Sequence, residues 1–211
     1  MKRISLAIFA ALLTMASTSF AATTATNSNT VAPTLQVTVK VQPAVSLTLL
    51  TGTTAGVGHC TVTATGAPSP DYTMDFGNVD ALAIANTCAS KFAPTTPGVT
   101  DAIYWTDYQL VPVYTSQSAT GSQSLTAQVT ANFGLGNVSL VRDTAGTGAV
   151  PAAVGDFSPI STASADPIAT VADLDGKTPL TRFIGVDVQP KSGAGLNASQ
   201  TATVTFTLTV N

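Results

Sequence analysis

The chain has 211 residues and contains no glutamate, one histidine and two cysteines, and only 9% of it is charged. Globular domains usually carry about a quarter charged residues. Each shortage excludes something. A blue-copper centre needs two histidines and a cysteine, and an EF-hand loop closes on a glutamate at its twelfth position. With eight Lys and Arg against eleven Asp, the net charge is −3. No basic footprint for nucleic acid exists. There is no G-x-S-x-G, no glycine-rich phosphate loop and no internal repeat of 20–50 residues. No run approaches the roughly 18 apolar residues of a membrane helix. The aspartates are scattered, several in turn-like contexts (Asp71, Asp101, Asp143, Asp175), and not paired as sugar chemistry requires. These shortages predict a protein that is not an enzyme and uses neither cofactor nor metal.

What is present begins with an export signal. Lys2 and Arg3 precede a short apolar stretch, Ile4 to Met15, and Ser19-Phe20-Ala21 reads as a small-residue cleavage site. Cleavage before Ala22 predicts a secreted protein, reaching the cell surface through the periplasm. Loss of Lys2 and Arg3 moves the net charge from −3 to −5. Residues 22–34 are polar, without an apolar period, and read as a disordered leader.

From there the chain reads as strands. Leu35, Val37, Val39 and Val41 share one face, with Gln36, Thr38 and Lys40 on the other. Such a strand can fold into its own domain or be offered to a neighbour, so 35–42 is a candidate donor strand. Pro43 ends its regular pairing. Further strands are predicted at Val45 to Leu50, Val57 to Ala64, Tyr72 to Phe76, Ile103 to Tyr114, Leu125 to Phe133, Val138 to Val141, Thr181 to Val188 and Thr201 to Val210. The last alternates Val204, Phe206, Leu208 and Val210 with Thr203, Thr205, Thr207 and Thr209. Threonine suits the exposed side, being β-branched and able to hydrogen-bond water. One short helical turn is expected at Asp80 to Asn86. The stretch Asp143 to Pro179 is too long for a hairpin loop and is expected to carry short strands or a surface excursion. Many strands, turn residues and no long helix predict an all-β antiparallel sandwich over residues 43–211.

Cys60 and Cys88, the only cysteines in a chain read as exported, predict a structural disulfide. Closing a loop of about 29 residues is worth roughly 3.5 kcal/mol by chain entropy. His59 beside Cys60 reads as a surface residue at a strand start. Asp173-Leu174-Asp175-Gly176 resembles a fragment of a calcium loop, but Asp-Gly is also a common turn. Tyr104, Trp105, Tyr108 and Tyr114 cluster in one strand. They form a core if buried and a stacking platform if exposed, with Trp105 on the face opposite Tyr104 and Tyr108.

Cys60-Thr61-Val62-Thr63-Ala64, followed by Met74-Asp75-Phe76-Gly77-Asn78-Val79-Asp80 and then Cys88, resembles the opening of the spore coat protein U domain. That family includes subunits of archaic chaperone–usher pili. Tyr108 to Tyr114 is similar to its aromatic middle strand, and the threonine-alternating C-terminus to its last strand. The chain departs from the family in its length at Asp143 to Pro179. It also has Ala194-Gly195-Leu196-Asn197 where a Gly-x-Tyr turn usually precedes the last strand. The resemblance implies an incomplete immunoglobulin-like sandwich whose missing strand is supplied by a partner. It implies a structural subunit of a surface fibre or coat. Its partners would be copies of itself or homologous subunits, a periplasmic chaperone and an outer-membrane usher. The alternative is a secreted monomeric binding module that recognises glycan or protein.

Overall fold

A computed structural model describes residues 36–39, 44–67, 70–114, 123–169, 174, 178–190 and 199–210. The chain divides into two units, Met1–Lys40 and Val41–Asn211. In the first, residues 36–39 carry no strand, and Val37 and Val39 are 78% and 79% exposed. An extended segment is a strand only when a ladder satisfies its backbone groups, and residues 36–39 have none. Leu35, Val41, the leader and the signal segment lie outside the described residues.

The second unit is all-β and antiparallel, as the alternation and turn chemistry predict. Its centre is β5 (Ala102–Tyr114), thirteen residues long. One side of β5 pairs with β1 (Val45–Thr51) and with β4 (Ser90–Phe92). The other side pairs with β10 (Leu180–Val188). Beyond β10 the sheet continues through β7 (Val138–Asp143) to β8 (Phe157–Pro159). A second sheet orders β11 (Thr203–Val210), β6 (Gln123–Ala131) and β9 (Asp166–Ala169). A small ladder joins β2 (Val62–Ala64) to β3 (Tyr72–Met74). Tyr104, Tyr108 and Leu110 of the first sheet meet Leu125, Ala127 and Val129 of the second in one core.

Strand β5 reads as nearly continuous apolar sequence because both its faces are covered. Its even-numbered residues face the core between the sheets. Ile103 and Trp105 point the other way, into a second small core with Val141 and Phe183. Trp105 stacks on Phe92 at 5.5 Å between ring centroids and meets Phe183 edge-on at 5.6 Å. The parity argument thus placed Trp105 correctly. Tyr104, Trp105 and Tyr108 are buried, so this cluster is core and not a platform. Tyr114, half-buried, donates its hydroxyl to the Leu174 carbonyl.

Two expectations need correction in this unit. Residues 57–61, expected to be strand, form an irregular segment. The turn at Gly56 has φ +78°, and side chains take the backbone groups that a ladder would use. Gly58 N–H donates to Ser90 Oγ at 2.7 Å, and Cys60 N–H to Thr106 Oγ1 at 3.0 Å. The turn expected to be helical at Asp80 to Asn86 is not helical. Ala83 sits at φ +57°, and the Asp80 carboxylate, not a preceding carbonyl, takes the amides of Leu82, Ile84 and Ala85. Strand β4 was not foreseen, since three residues give too little alternation to read. The Asp143 to Pro179 stretch does carry short strands, β8 and β9.

Gly52 follows β1 and is buried. A Cβ there would overlap the carboxylate of Asp107. Gly52→Ala should therefore cost about 1–3 kcal/mol, the usual range for overpacking, read as a lowered midpoint in urea with unchanged slope.

Candidate functional site

Among the described residues each of the two larger sheets has two end strands, β1 and β8 in the first and β11 and β9 in the second, and of these only β1 and β11 are free of proline. β1 ends the first sheet and β11 ends the second, each pairing on one side only. The two edges approach one another but share no ladder. Both carry core residues that are only partly buried. Leu47 and Leu49 on β1, and Val204, Phe206 and Leu208 on β11, pack against the core yet retain exposure. Inner-strand residues contrast sharply, with Leu110 and Leu125 at 0%. Tyr108 and Phe206 meet at 5.7 Å on the core side of this seam. Natural proteins usually blunt exposed edges with lysine, proline or charge. The sequences VSLTLLT and TVTFTLTV contain none of these.

The middle of β5 holds the nearest thing to a polar centre. Asp107 is 0% exposed. One carboxylate oxygen accepts the Thr54 amide at 2.7 Å, and the other lies 2.6 Å from His59 Nδ1. Burial opposes ionisation of Asp107, but Thr54 and His59 outweigh it and hold the carboxyl below its ordinary value. His59 is at the surface, as its sequence context suggests. It does not begin a strand, since β2 starts at Val62, and one ring nitrogen is committed to Asp107. No nucleophile is placed by this arrangement; it fastens the segment after β1 onto β5. Cys60 and Cys88 are bonded, with Cα atoms 5.0 Å apart, so the expected disulfide fastens the same segment to the approach of β4.

Other buried charges were not foreseen. Asp143 accepts the amides of Phe183 at 3.1 Å and Gly146 at 3.0 Å. Arg182, 3% exposed, donates to the carbonyls of Ile168 at 2.6 Å and Thr181 at 2.7 Å. The only hint in sequence was a charge inside an apolar run. Asp187 is different. Burial, followed by the charge of Asp101, raises its pKa to about 6, and its Oδ1 is buried without a hydrogen bond. Asp173, Asp175 and Gly176 lie outside the described residues, and Leu174 between them is buried. Among the described residues, no three His, Cys or Asp side chains gather as a metal site would require.

Of the candidate donor-strand residues, Val37 and Val39 are exposed, and Leu35 and Val41 are outside the description. Compared with family profiles, curated proteins and solved structures, the chain matches none.

Replacing both cysteines with serine should lower stability by about 2–4 kcal/mol, measured by chemical denaturation of the oxidised protein beside the double variant. Asp187→Asn should show a pH-dependent gain. A carboxyl with a raised folded pKa favours folding while protonated and opposes it once ionised. Asp187→Asn should therefore melt above the wild type at pH 8. The gap should shrink as pH falls through about 6 and close below about 4, the ordinary aspartate value.

Proposed function

We propose that this chain is a non-enzymatic, exported structural subunit of a surface fibre, assembled by β-strand donation, with an incomplete immunoglobulin-like sandwich as the receiver. The observation that carries the reading is the pair of open, uncharged, proline-free edges at β1 and β11, flanking core residues left partly exposed. An added strand satisfies edge backbone groups by hydrogen bonds and sets its register through alternate side-chain pockets. A strand paired to both edges needs them roughly 9.5 Å apart, twice the interstrand spacing. The edges already come within 8 Å at some positions, so the seam widens as the strand enters.

The segment offered is Leu35 to Val41 of another copy. Its four apolar residues lie on one face. Burying them contributes roughly 1.5–3 kcal/mol each before ordering entropy is subtracted. The resemblance to spore coat protein U and archaic chaperone–usher pilins supports the same reading. It brings with it a periplasmic chaperone that fills the groove before assembly and an outer-membrane usher. The signal-like N-terminus supports export by that route.

One observation favours the alternative, a secreted monomeric binding module. The Asp80 carboxylate, held below its ordinary value by backbone amides that outweigh its burial, fixes a tight loop that presents Leu82 at 49% and Ile84 at 74% exposure. Polymerisation separates the two readings. The mature protein should run as a heat-labile ladder on a denaturing gel. Val39→Asp should abolish the ladder by forcing an unpaired charge into an apolar pocket, while Lys40→Asp should leave it intact. A stable monomer on deletion of residues 22–41, with no strand supplied, or normal assembly of Val39→Asp, would overturn strand donation.

A further inference from the structure

The Cys60–Cys88 bridge is covered at one end and open at the other. Cys60 is 0% exposed, whereas Cys88 is exposed. Whatever surface the bridge offers therefore belongs to Cys88. Thiol–disulfide exchange begins when a thiolate reaches one of the two sulfurs, so access decides which of them is attacked. While the unit is folded, no reagent touches the Cys60 sulfur. The Cys88 sulfur lies 3.2 Å from the Asp75 carbonyl oxygen and 3.8 Å from Thr87 Oγ1. One flank is thus occupied, which suits a small thiol as the attacking group.

The two stretches that the bridge joins are also held without it. Cys60 N–H donates to Thr106 Oγ1 at 3.0 Å, Gly58 N–H to Ser90 Oγ at 2.7 Å, and His59 Nδ1 lies 2.6 Å from Asp107. On the other side Thr87 Oγ1 donates to the Phe76 carbonyl, and Ser90 pairs with Trp105 at the start of β4. The stretches approach most closely at Gly58, where a Cβ would lie 2.5 Å from the Cys88 carbonyl oxygen. With the bridge open, these bonds keep Cys60 facing Cys88.

We propose that Cys88 is a thiol-exchange site, the sulfur at which a small external thiolate enters the folded protein, with Cys60 as its resolving partner. The thiolate bonds to Cys88 Sγ, and the electron pair of the S–S bond leaves on Cys60 Sγ, which takes up a proton. The products are a mixed disulfide on Cys88 and a thiol at Cys60. Two fates follow. Cys60, as thiolate, attacks Cys88 Sγ, restores the bridge and expels the external thiol. Alternatively, a second external thiolate attacks the external sulfur. That leaves two protein thiols and oxidises the external pair to a disulfide. Because Cys60 is held in place, its return is intramolecular and outruns the second route at low thiol concentration. In the opposite direction, an external disulfide passes its oxidation to Cys88 first, and Cys60 closes the bridge. None of this requires the chain to polymerise.

The test treats the mature protein with dithiothreitol in native buffer and in urea below the unfolding transition. Free thiols are alkylated with iodoacetamide, and those that remain are labelled with N-ethylmaleimide after denaturation. Reduction should be first order in dithiothreitol and unchanged by low urea, with Cys88 taking the first label and Cys60 the second. A rate that climbs with urea from the outset would mean that exchange waits for unfolding, and would overturn the proposal. So would first labelling at Cys60, or equal labelling of both. Single-cysteine variants give a second reading. In native buffer oxidised glutathione should add to Cys60→Ser at least about tenfold faster than to Cys88→Ser, and the difference should vanish in denaturing urea. Equal rates in native buffer, from variants whose circular dichroism matches the wild type, would overturn it as well. If either variant unfolds, the wild-type labelling order decides.

Discussion

The pairing of β5 on both sides, beneath cores on both faces, is the constraint on which the rest of the second unit depends. β5 runs thirteen residues and lines up against β1 and β4 on one edge and β10 on the other. A one-residue slip would turn Tyr104 and Tyr108 out of the main core and force Trp105 into it. The aromatic packing of Trp105 against Phe92 and Phe183 works against that slip from the outer face. Gly185, opposite Trp105 on β10, leaves no room for a side chain, since a Cβ there would lie 2.8 Å from the Tyr104 carbonyl oxygen. Register is therefore fixed twice, once on each face of the same strand.

The buried charges serve the places where the ladder stops. β1 leaves β5 after Thr51, and Asp107 then holds the departing segment through Thr54 and His59. Thr106, its neighbour on the opposite face, accepts from Cys60 N–H and donates to the Gly58 carbonyl. Asp143 does the same at the end of β7, taking the Phe183 amide beyond the last β7–β10 pair. An unpaired buried amide costs about 1–3 kcal/mol, so these side chains replace ladder bonds where strands diverge. Asp187 is the exception, a carboxyl whose burial is not offset by partners, and the fold bears its cost.

Low charge also marks the edges proposed for assembly. Edges free of lysine and proline are ordinarily an aggregation hazard. In a strand-donating subunit the same property is the receiver.

Sequence periodicity alone determined the class of fold, most strands and the parity of the aromatics on β5. These follow from alternation along a single segment, which local sterics impose wherever the segment ends up. The strands at Phe157–Pro159 and Asp166–Ala169 were legible only as an expectation that the long stretch after Asp143 would contain some. Tertiary structure decided what depends on residues distant in sequence. The His59–Asp107 pair joins positions 48 apart, and Phe183 N–H reaches Asp143 across 40. No local pattern encodes such meetings. The second small core behind β5 was equally hidden, because Phe92 and Phe157 arrive from short strands with no readable period. The open edges were the least legible of all. Whether an alternating strand is central or terminal depends on the order in which strands pair, and that order is set by the packing of the whole chain.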